Sequence, residues 1–185
     1  MSDRVIHIEL PLDSDNFLRR ACPFCRREFK AETSIQDRQS WVQHQLEAYL
    51  LQQGMEIEES QHSEQEQNTR WCPYCGEQAY ADSWWTQEQI AYVNTFAHNI
   101  RAEMVNEMLE SLKRQFPKSS TGLISFEFKY EAMSYITPWI SPEVDDMETF
   151  ALPCCNLRIK LEDNWSRMAY CHVCGFPHQL LGKQS

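Results

Sequence analysis

The eight cysteines constrain this chain more than any other feature. They fall in four close pairs with none left over, namely Cys22/Cys25, Cys72/Cys75, Cys154/Cys155 and Cys171/Cys174. Cysteine pairs at two-residue spacing and in even number are typical of metal sites. The chain shows no signal peptide and no run of about eighteen apolar residues, so we expect a cytoplasmic protein without a membrane span. Thiols stay reduced in that compartment, which favours metal ligation over disulfides.

Spacing predicts how the pairs combine. Fifteen residues separate Cys155 from Cys171, whereas 46 separate Cys25 from Cys72, so a sequential arrangement needs an insertion only in the first site. The predicted ligand sets are Cys22, Cys25, Cys72 and Cys75 for the first site, and Cys154, Cys155, Cys171 and Cys174 for the second. An interleaved arrangement, first pair with third and second with fourth, is the alternative.

The adjacent cysteines of "LPCCNL" require a bend in the backbone. Side chains of neighbouring residues in an extended strand point to opposite faces, so Cys154 and Cys155 share an ion only if the chain turns. The flanking Pro153 and Asn156 favour such a turn. The alternative ligand set replaces one of these two cysteines by a histidine, and the candidates are His178 and His172.

The residues around the cysteines resemble those of known metal knuckles. Proline follows the first cysteine in "CPFC" and "CPYCG", where it presets a turn dihedral. Glycine follows the second in "CPYCG" and "CHVCG", where it tolerates a left-handed conformation. These segments resemble zinc ribbons, with rubredoxin-like knuckles. The order of "CPYCG", a Trp-rich turn, a long helix and a later "PCC…CxxCG" is similar to that of uncharacterised bacterial proteins with paired zinc ribbons.

The resemblance implies two tetrahedral Zn²⁺ ions, one per site, each held by four thiolates. Such sites in non-redox folds usually hold zinc, and four protein ligands leave no coordination position for water. We therefore expect the metal to be structural. Iron in a rubredoxin-like electron carrier is the alternative.

A long helix is the strongest secondary-structure prediction. Residues 86–116 carry one apolar stripe, preceded by a capping box of Thr86 and Gln89. We expect this helix to pack against both metal modules as a spine, and homodimerisation through 86–116 is the alternative. A second helix is predicted over 38–53. Strands are predicted within 5–12, at 124–130 with a hairpin partner in 133–140, and over 157–162.

The predicted fold class is α+β. It consists of two small β zinc-ribbon modules joined by a long α-helix, with a helical insertion in the first module. The predicted boundaries are 1–85 for the first module, with its insertion at 31–70, then 86–117 for the connecting helix and 118–185 for the second module.

The charge distribution limits the classes of partner. The formal net charge is −10, from 27 acidic and 17 basic residues, and becomes about −14 when eight thiolates bind two Zn²⁺. Most of such a surface repels nucleic acid. The segment 19–30 is the exception, and its candidate contacts to an anionic partner are Arg19, Arg20, Arg26, Arg27 and Lys30.

The sequence favours an interaction module over an enzyme. It contains no nucleophile elbow, phosphate loop or HExxH motif, so we expect no catalytic residues. The first hypothesis is a structural-zinc adaptor that binds another protein, with Trp84 and Trp85 as candidate anchors. The second is nucleic-acid binding through the basic stretch around Cys22 and Cys25.

Overall fold

The computed structural model describes residues 8–55, 69–115, 129–163 and 165–180. Its elements in chain order are β1 (Phe17–Ala21), β2 (Glu28–Glu32), α1 (Ile35–Gln52), β3 (Thr69–Trp71), β4 (Gln78–Tyr80), α2 (Gln87–Gln115), β5 (Met147–Leu152), β6 (Leu157–Glu162), β7 (Met168–Tyr170) and β8 (Pro177–Gln179). The two helices and small antiparallel sheets agree with the predicted α+β class. Neither helix has the length and apolar character that crossing a bilayer requires.

A four-stranded antiparallel sheet unites the two halves of the chain. Its strand order is β1-β2-β6-β5, while β3-β4 and β7-β8 form separate two-stranded sheets. The junction is the β2–β6 pair, in which Lys30 lies opposite Lys160 and Ala31 opposite Ile159. Helix α2 therefore separates the ribbons in sequence, as predicted, but in space the ribbons pair directly. The pairing satisfies backbone N–H and C=O groups that two isolated hairpins would leave at open edges.

One face of this sheet carries the main apolar core. Phe29 and Ala31 of β2 lie on this face, and so do Ile159 and Leu161 of β6. The residues that alternate with them along each strand lie on the other face. All four are buried and pack with Trp84, which is itself fully buried. The period-two pattern predicted for β6 is thus confirmed. The core includes residues from both ribbons.

The opposite face of the sheet buries an ionic cluster. The Nζ atoms of Lys30 and Lys160 lie 3.4 and 2.8 Å from the same carboxylate oxygen of Asp13. All three side chains are almost wholly buried. Asp145 lies 3.2 Å from Lys160, and Glu143 lies 3.2 Å from Lys30. Buried charges persist only when they are paired, so this cluster fixes the segments 8–16 and 141–146 against the sheet.

Helix α2 matches its predicted bounds to within one residue, whereas α1 begins at Ile35, three residues before the predicted start. In α2 the Thr86 N–H donates to Gln89 Oε1 at 3.1 Å, and the Gln89 N–H donates to Thr86 Oγ1 at 3.2 Å. The capping box is therefore confirmed. Val93 and Ala97 are buried, whereas Met104 and Met108 further along the helix are exposed. The apolar stripe is thus covered only in its first half, which packs against α1.

Residues 129–140 have no regular secondary structure where a strand was predicted. Most of 124–130 lies outside the described residues, and the predicted hairpin strand in 133–140 is wrong. Instead, residues 129–141, here called the strap, run alongside α2 in extended form. Asn99 donates to the Ile136 carbonyl at 2.7 Å and accepts from its N–H at 2.9 Å. Asn106 makes the same two bonds with Met133, both at 2.9 Å. Side-chain amides thus replace the partner strand.

The predicted N-terminal strand is also wrong over its described part. Residues 8–12 have no regular structure, and residues 5–7 lie outside the described residues. The segment packs through Leu10, which is buried in the second apolar cluster with Leu18 and Trp85. Apolar side chains here serve packing without a ladder of backbone hydrogen bonds.

Replacement of Asp13 tests the ionic cluster. Burial alone raises the pKa of this carboxyl, but hydrogen bonds from Lys160 and the Phe17 N–H hold it below its ordinary value. Its contribution to stability is therefore present above the ordinary carboxyl pKa and is lost as pH falls through the lowered folded-state value. We expect Asp13→Asn to lower the free energy of unfolding by about 3 kcal/mol at neutral pH and to flatten the acid limb of the pH profile.

The matched control is Asp15→Asn. Asp15 also pairs with Lys160, at 2.7 Å, but its side chain is 55% exposed, so the expected loss is under about 1 kcal/mol. Urea denaturation followed by tryptophan fluorescence measures both. Equal losses for the two variants would contradict the central role of Asp13.

Candidate metal centres

Four tight loops carry the eight cysteines, and they share one backbone feature. The residue that follows the second cysteine has a positive φ in every loop: Arg26 (62°), Gly76 (74°), Asn156 (51°) and Gly175 (73°). In the three CxxC loops, this residue donates its N–H to the carbonyl of the first cysteine, at 2.9–3.0 Å. The left-handed residue reverses the chain and aims both sulfurs at one point.

The first centre brings together the sulfurs of Cys22, Cys25, Cys72 and Cys75, all within 4.8 Å of one another. Cys22 Sγ lies 3.7 Å from Cys75 Sγ, and Cys25 Sγ lies 3.7 Å from Cys72 Sγ. Four sulfurs about 2.3 Å from a tetrahedral ion are about 3.8 Å apart. A disulfide would need about 2.05 Å, and all eight cysteines are free. The spacing therefore fits a metal.

The second centre groups Cys154, Cys155, Cys171 and Cys174 in the same way. Cys174 Sγ lies 3.6 Å from Cys154 Sγ. The adjacent cysteines share the centre because the chain turns there: the Cys155 N–H donates to the Leu152 carbonyl at 3.3 Å. The groupings are the sequential ones, and the interleaved alternative is not found. The second centre is the more open, because Cys171 alone of its cysteines is buried, whereas Cys22 and Cys72 are both buried in the first.

The electrostatics of both centres call for a cation. Burial raises the pKa of the Cys72 thiol far above its ordinary value. Burial, with the sulfurs of Cys171 and Cys174 nearby, raises the pKa of Cys154 to about 12. Thiolates at such spacing repel one another, and a bound metal ion offsets that repulsion by drawing each thiol into its deprotonated form. The donor sets therefore fit a metal ion in both charge and distance.

Histidine residues near the second centre take different positions. His172, one of the two candidate replacement ligands, is buried. Its Nδ1 lies 2.7 Å from the Trp71 carbonyl, and its ring packs against Phe29 and Trp84. Burial lowers the pKa of His172 to about 3, so it is neutral at physiological pH. His178 remains beside the site, with Nε2 3.1 Å from Cys154 Sγ.

The two centres lock onto each other through reciprocal contacts. The Trp71 N–H donates to the His172 carbonyl, and the Tyr170 N–H donates to the Pro73 carbonyl, both at 2.9 Å. The Trp71 ring lies against Gly175 of the other centre, and the Tyr170 ring lies against Gly76. Each aromatic residue directly precedes a metal-site cysteine, so the position of one centre fixes the other.

The basic stretch is mostly turned inward. Arg20 is buried, with its guanidinium 4.2 Å from the centre of the Trp41 ring. Lys30 is buried in the ionic cluster, and Arg19 lies 2.6 Å from an Asp146 carboxylate oxygen. These three were candidate contacts to an anionic partner. Their burial and pairing correct that expectation, because a side chain committed to the interior is not offered to a ligand.

Two cations of the stretch lie at the surface of the first knuckle. Arg26 is exposed. Arg27 is also exposed, pairs with Glu162 at 3.6 Å, and lies over the Trp165 ring at 4.8 Å. Phe24 beside them is exposed. The candidate anchors Trp84 and Trp85, by contrast, are buried.

Comparisons of the chain with protein-family models, curated proteins and solved structures found no match. The geometry itself shows two clusters of four cysteines that could each bind a metal ion. Each cluster supplies four sulfur donors, which is the full complement of a tetrahedral ion. Such a centre has no ligand position open to a substrate or to water.

The glycine contacts give a test of how the centres interlock. A Cβ at Gly175 would lie 2.6 Å from the Trp71 ring, and φ there is +73°. We expect Gly175→Ala to lower the free energy of unfolding by about 3 kcal/mol, from crowding and backbone strain together. Gly54→Ala is the matched control, because φ is +74° but no atom lies within 4 Å. Its expected cost is about 1 kcal/mol.

Arg26 has a left-handed φ although it is not a glycine. The substitution Arg26→Gly therefore relieves backbone strain instead of adding it. We expect it to raise stability by about 0.5 kcal/mol, since the relief of the left-handed conformation exceeds the added chain entropy of glycine. Thermal unfolding of the metal-loaded protein measures all three variants. If Gly175→Ala and Gly54→Ala prove equally costly, the contact with Trp71 contributes nothing.

Proposed function

We propose that this protein is a non-catalytic adaptor whose core is held by two structural Zn²⁺ ions. The observation that carries the zinc assignment is the pair of closed four-sulfur centres at tetrahedral spacing, built into one shared core. Tetrahedral thiolate sites outside redox folds usually hold zinc. The free thiols suit a reducing compartment, so we place the protein in the cytoplasm.

Metal content tests the assignment directly. We expect protein purified without added metal to contain two zinc ions per chain by elemental analysis and native mass spectrometry. Cys72→Ser should lose the first ion and lower the melting temperature of the whole core, because structural zinc contributes folding free energy and the centres are interlocked. Phe24→Ser, a non-ligand in a knuckle of the same centre, should keep both ions. Bound iron would instead indicate the redox carrier, and a metal-free or disulfide-bonded protein would contradict the proposal.

The adaptor role is supported by an exposed aromatic surface on a rigid support. Trp139 is 71% exposed and Tyr135 is 60% exposed, with Ile136 exposed between them. The strap that carries them is held to α2 through Asn99 and Asn106. Aromatic residues on a preorganised surface supply much of the binding energy at protein interfaces. We propose this surface, rather than the buried Trp84 and Trp85, as the contact for a protein partner.

Nucleic-acid binding through the first knuckle is the second candidate. It is supported by the exposed Phe24, which offers a stacking surface beside Arg26 and Arg27. Against it stands the formal charge of −10, with 27 acidic side chains in the chain. Two surface cations give a small electrostatic footprint compared with the basic patches of such proteins. A protein partner is therefore the better supported proposal.

Site-specific photocrosslinking in cells separates these functions. A photoreactive residue at position 139 should yield one discrete protein adduct. The control is the same photoreactive residue at Met168, an exposed position outside the strap, which should yield no such adduct. A third probe at Phe24 reports on nucleic acid. An adduct of twice the chain mass at Met104 would identify the homodimer through α2. Identical diffuse patterns at positions 139 and 168 would contradict the adaptor surface.

A further inference from the structure

The loop of Cys154 and Cys155 differs chemically from the two CxxC loops of the first centre. In the first centre, backbone N–H groups donate to the sulfur of the leading cysteine. The pairs are Phe24 and Cys25 to Cys22, and Tyr74 and Cys75 to Cys72, all at 3.4–3.5 Å. Within the described residues, no backbone N–H donates to Cys154 or Cys155. The vicinal cysteines sit in a turn in which the Cys155 N–H donates to the Leu152 carbonyl instead.

A histidine occupies the place of the missing donors. His178 Nε2 lies 3.1 Å from Cys154 Sγ. The residue lies on β8 opposite Ala169 of β7, and its ring packs edge-on against Phe176 at 5.2 Å between centroids. The ring position is therefore set by the strand and by this aromatic contact.

The first centre offers an internal comparison. The β3–β4 hairpin has the same register as β7–β8: Trp71 pairs with Gln78, as Tyr170 pairs with Pro177. The position that matches His178 is therefore Ala79, which has no polar side-chain atom. The imidazole is present in the centre with the shortened loop and is replaced by a methyl group in the centre with complete backbone donors.

We propose that His178 completes the second metal centre by donating its Nε2–H to the thiolate of Cys154, in place of the backbone N–H groups that the shortened loop lacks. This inference rests on the proposed metal-binding function. A hydrogen bond to a charged sulfur withdraws part of its charge and fixes its direction. Groups that orient metal ligands in this way typically change metal affinity by about 10–100-fold when removed.

Distances favour this donor role over direct ligation of the metal by His178. Two ligands of one tetrahedral zinc, a nitrogen at about 2.05 Å and a sulfur at about 2.3 Å, are separated by about 3.6 Å. The observed 3.1 Å between Nε2 and Cys154 Sγ is shorter and fits a hydrogen bond. The four sulfurs already lie within 4.8 Å of one another without the imidazole. Four ligands are therefore present, and His178 is additional to them.

Cadmium NMR of the full chain tests the proposal. Protein loaded with ¹¹³Cd should give two resonances in the four-sulfur range, with His178 protonated at Nε2. We expect His178→Ala to shift only the second-centre resonance and to speed metal transfer from that centre to a chelator about tenfold. His178→Gln, whose amide nitrogen can occupy the Nε2 position, should restore most of the difference. His98→Ala, on α2, is the control and should change neither resonance.

The outcomes are distinguishable. An unchanged second resonance and release rate in His178→Ala would overturn the inference and leave the proposed zinc function intact. Direct ¹¹³Cd–¹⁵N coupling to His178 would overturn it in favour of a nitrogen ligand. Failure of both centres to take up any metal would overturn the proposed function first, and the inference with it.

Discussion

Convergence of four cysteine sulfurs at one point, in each of two centres, is the constraint on which the rest of the structure depends. The β3–β4 and β7–β8 hairpins have strands of only three residues each, and isolated hairpins of that size are not stable in water. Each brings its two cysteine sulfurs within 4.8 Å of those of a longer hairpin of the central sheet. A metal ion bound at each centre would supply the attachment that hydrophobic burial by such short strands cannot.

The centres are coupled because each hairpin contributes an aromatic side chain to the other. Trp71 covers Gly175 and Tyr170 covers Gly76, so a glycine in each knuckle serves both the turn and the contact. Tyr74 adds a bridge: its hydroxyl donates to the Glu28 carbonyl and accepts from the Glu162 N–H, both at 2.9 Å. Damage to one site thus reaches the other through packing as well as through the shared sheet.

The polar face of the sheet explains the distribution of charge at the surface. Strands β2 and β6 place Lys30 opposite Lys160, and Asp13, the buried carboxylate that pairs with both, offsets the repulsion between these like charges together with the surrounding acidic residues. The arrangement draws cations inward from the most basic part of the chain. The proposed adaptor surface on the strap lies elsewhere and owes its rigidity to amide contacts with α2. The buried ionic cluster and the proposed adaptor surface are therefore separate parts of the molecule.

Local features of the sequence determined the knuckles and the helices. Cysteine spacing, Gly76 and Gly175 define the turns, and the Thr86–Gln89 capping box sets the start of α2, because each depends on residues only a few positions apart. The left-handed φ of Arg26 was not predictable from its residue type, since only its equivalence to the two glycines reveals it.

Tertiary structure alone decided which ribbon edges pair and which side chains are covered. Period-two alternation places Lys30 and Lys160 on one face of their strands, but it does not reveal that residues 8–16 and 141–146 cover that face. The burial of Arg20 and His172 and the position of His178 beside Cys154 follow from contacts between residues far apart in the chain. Periodicity in a sequence assigns a side chain to a face, and only the folded chain determines what packs against it.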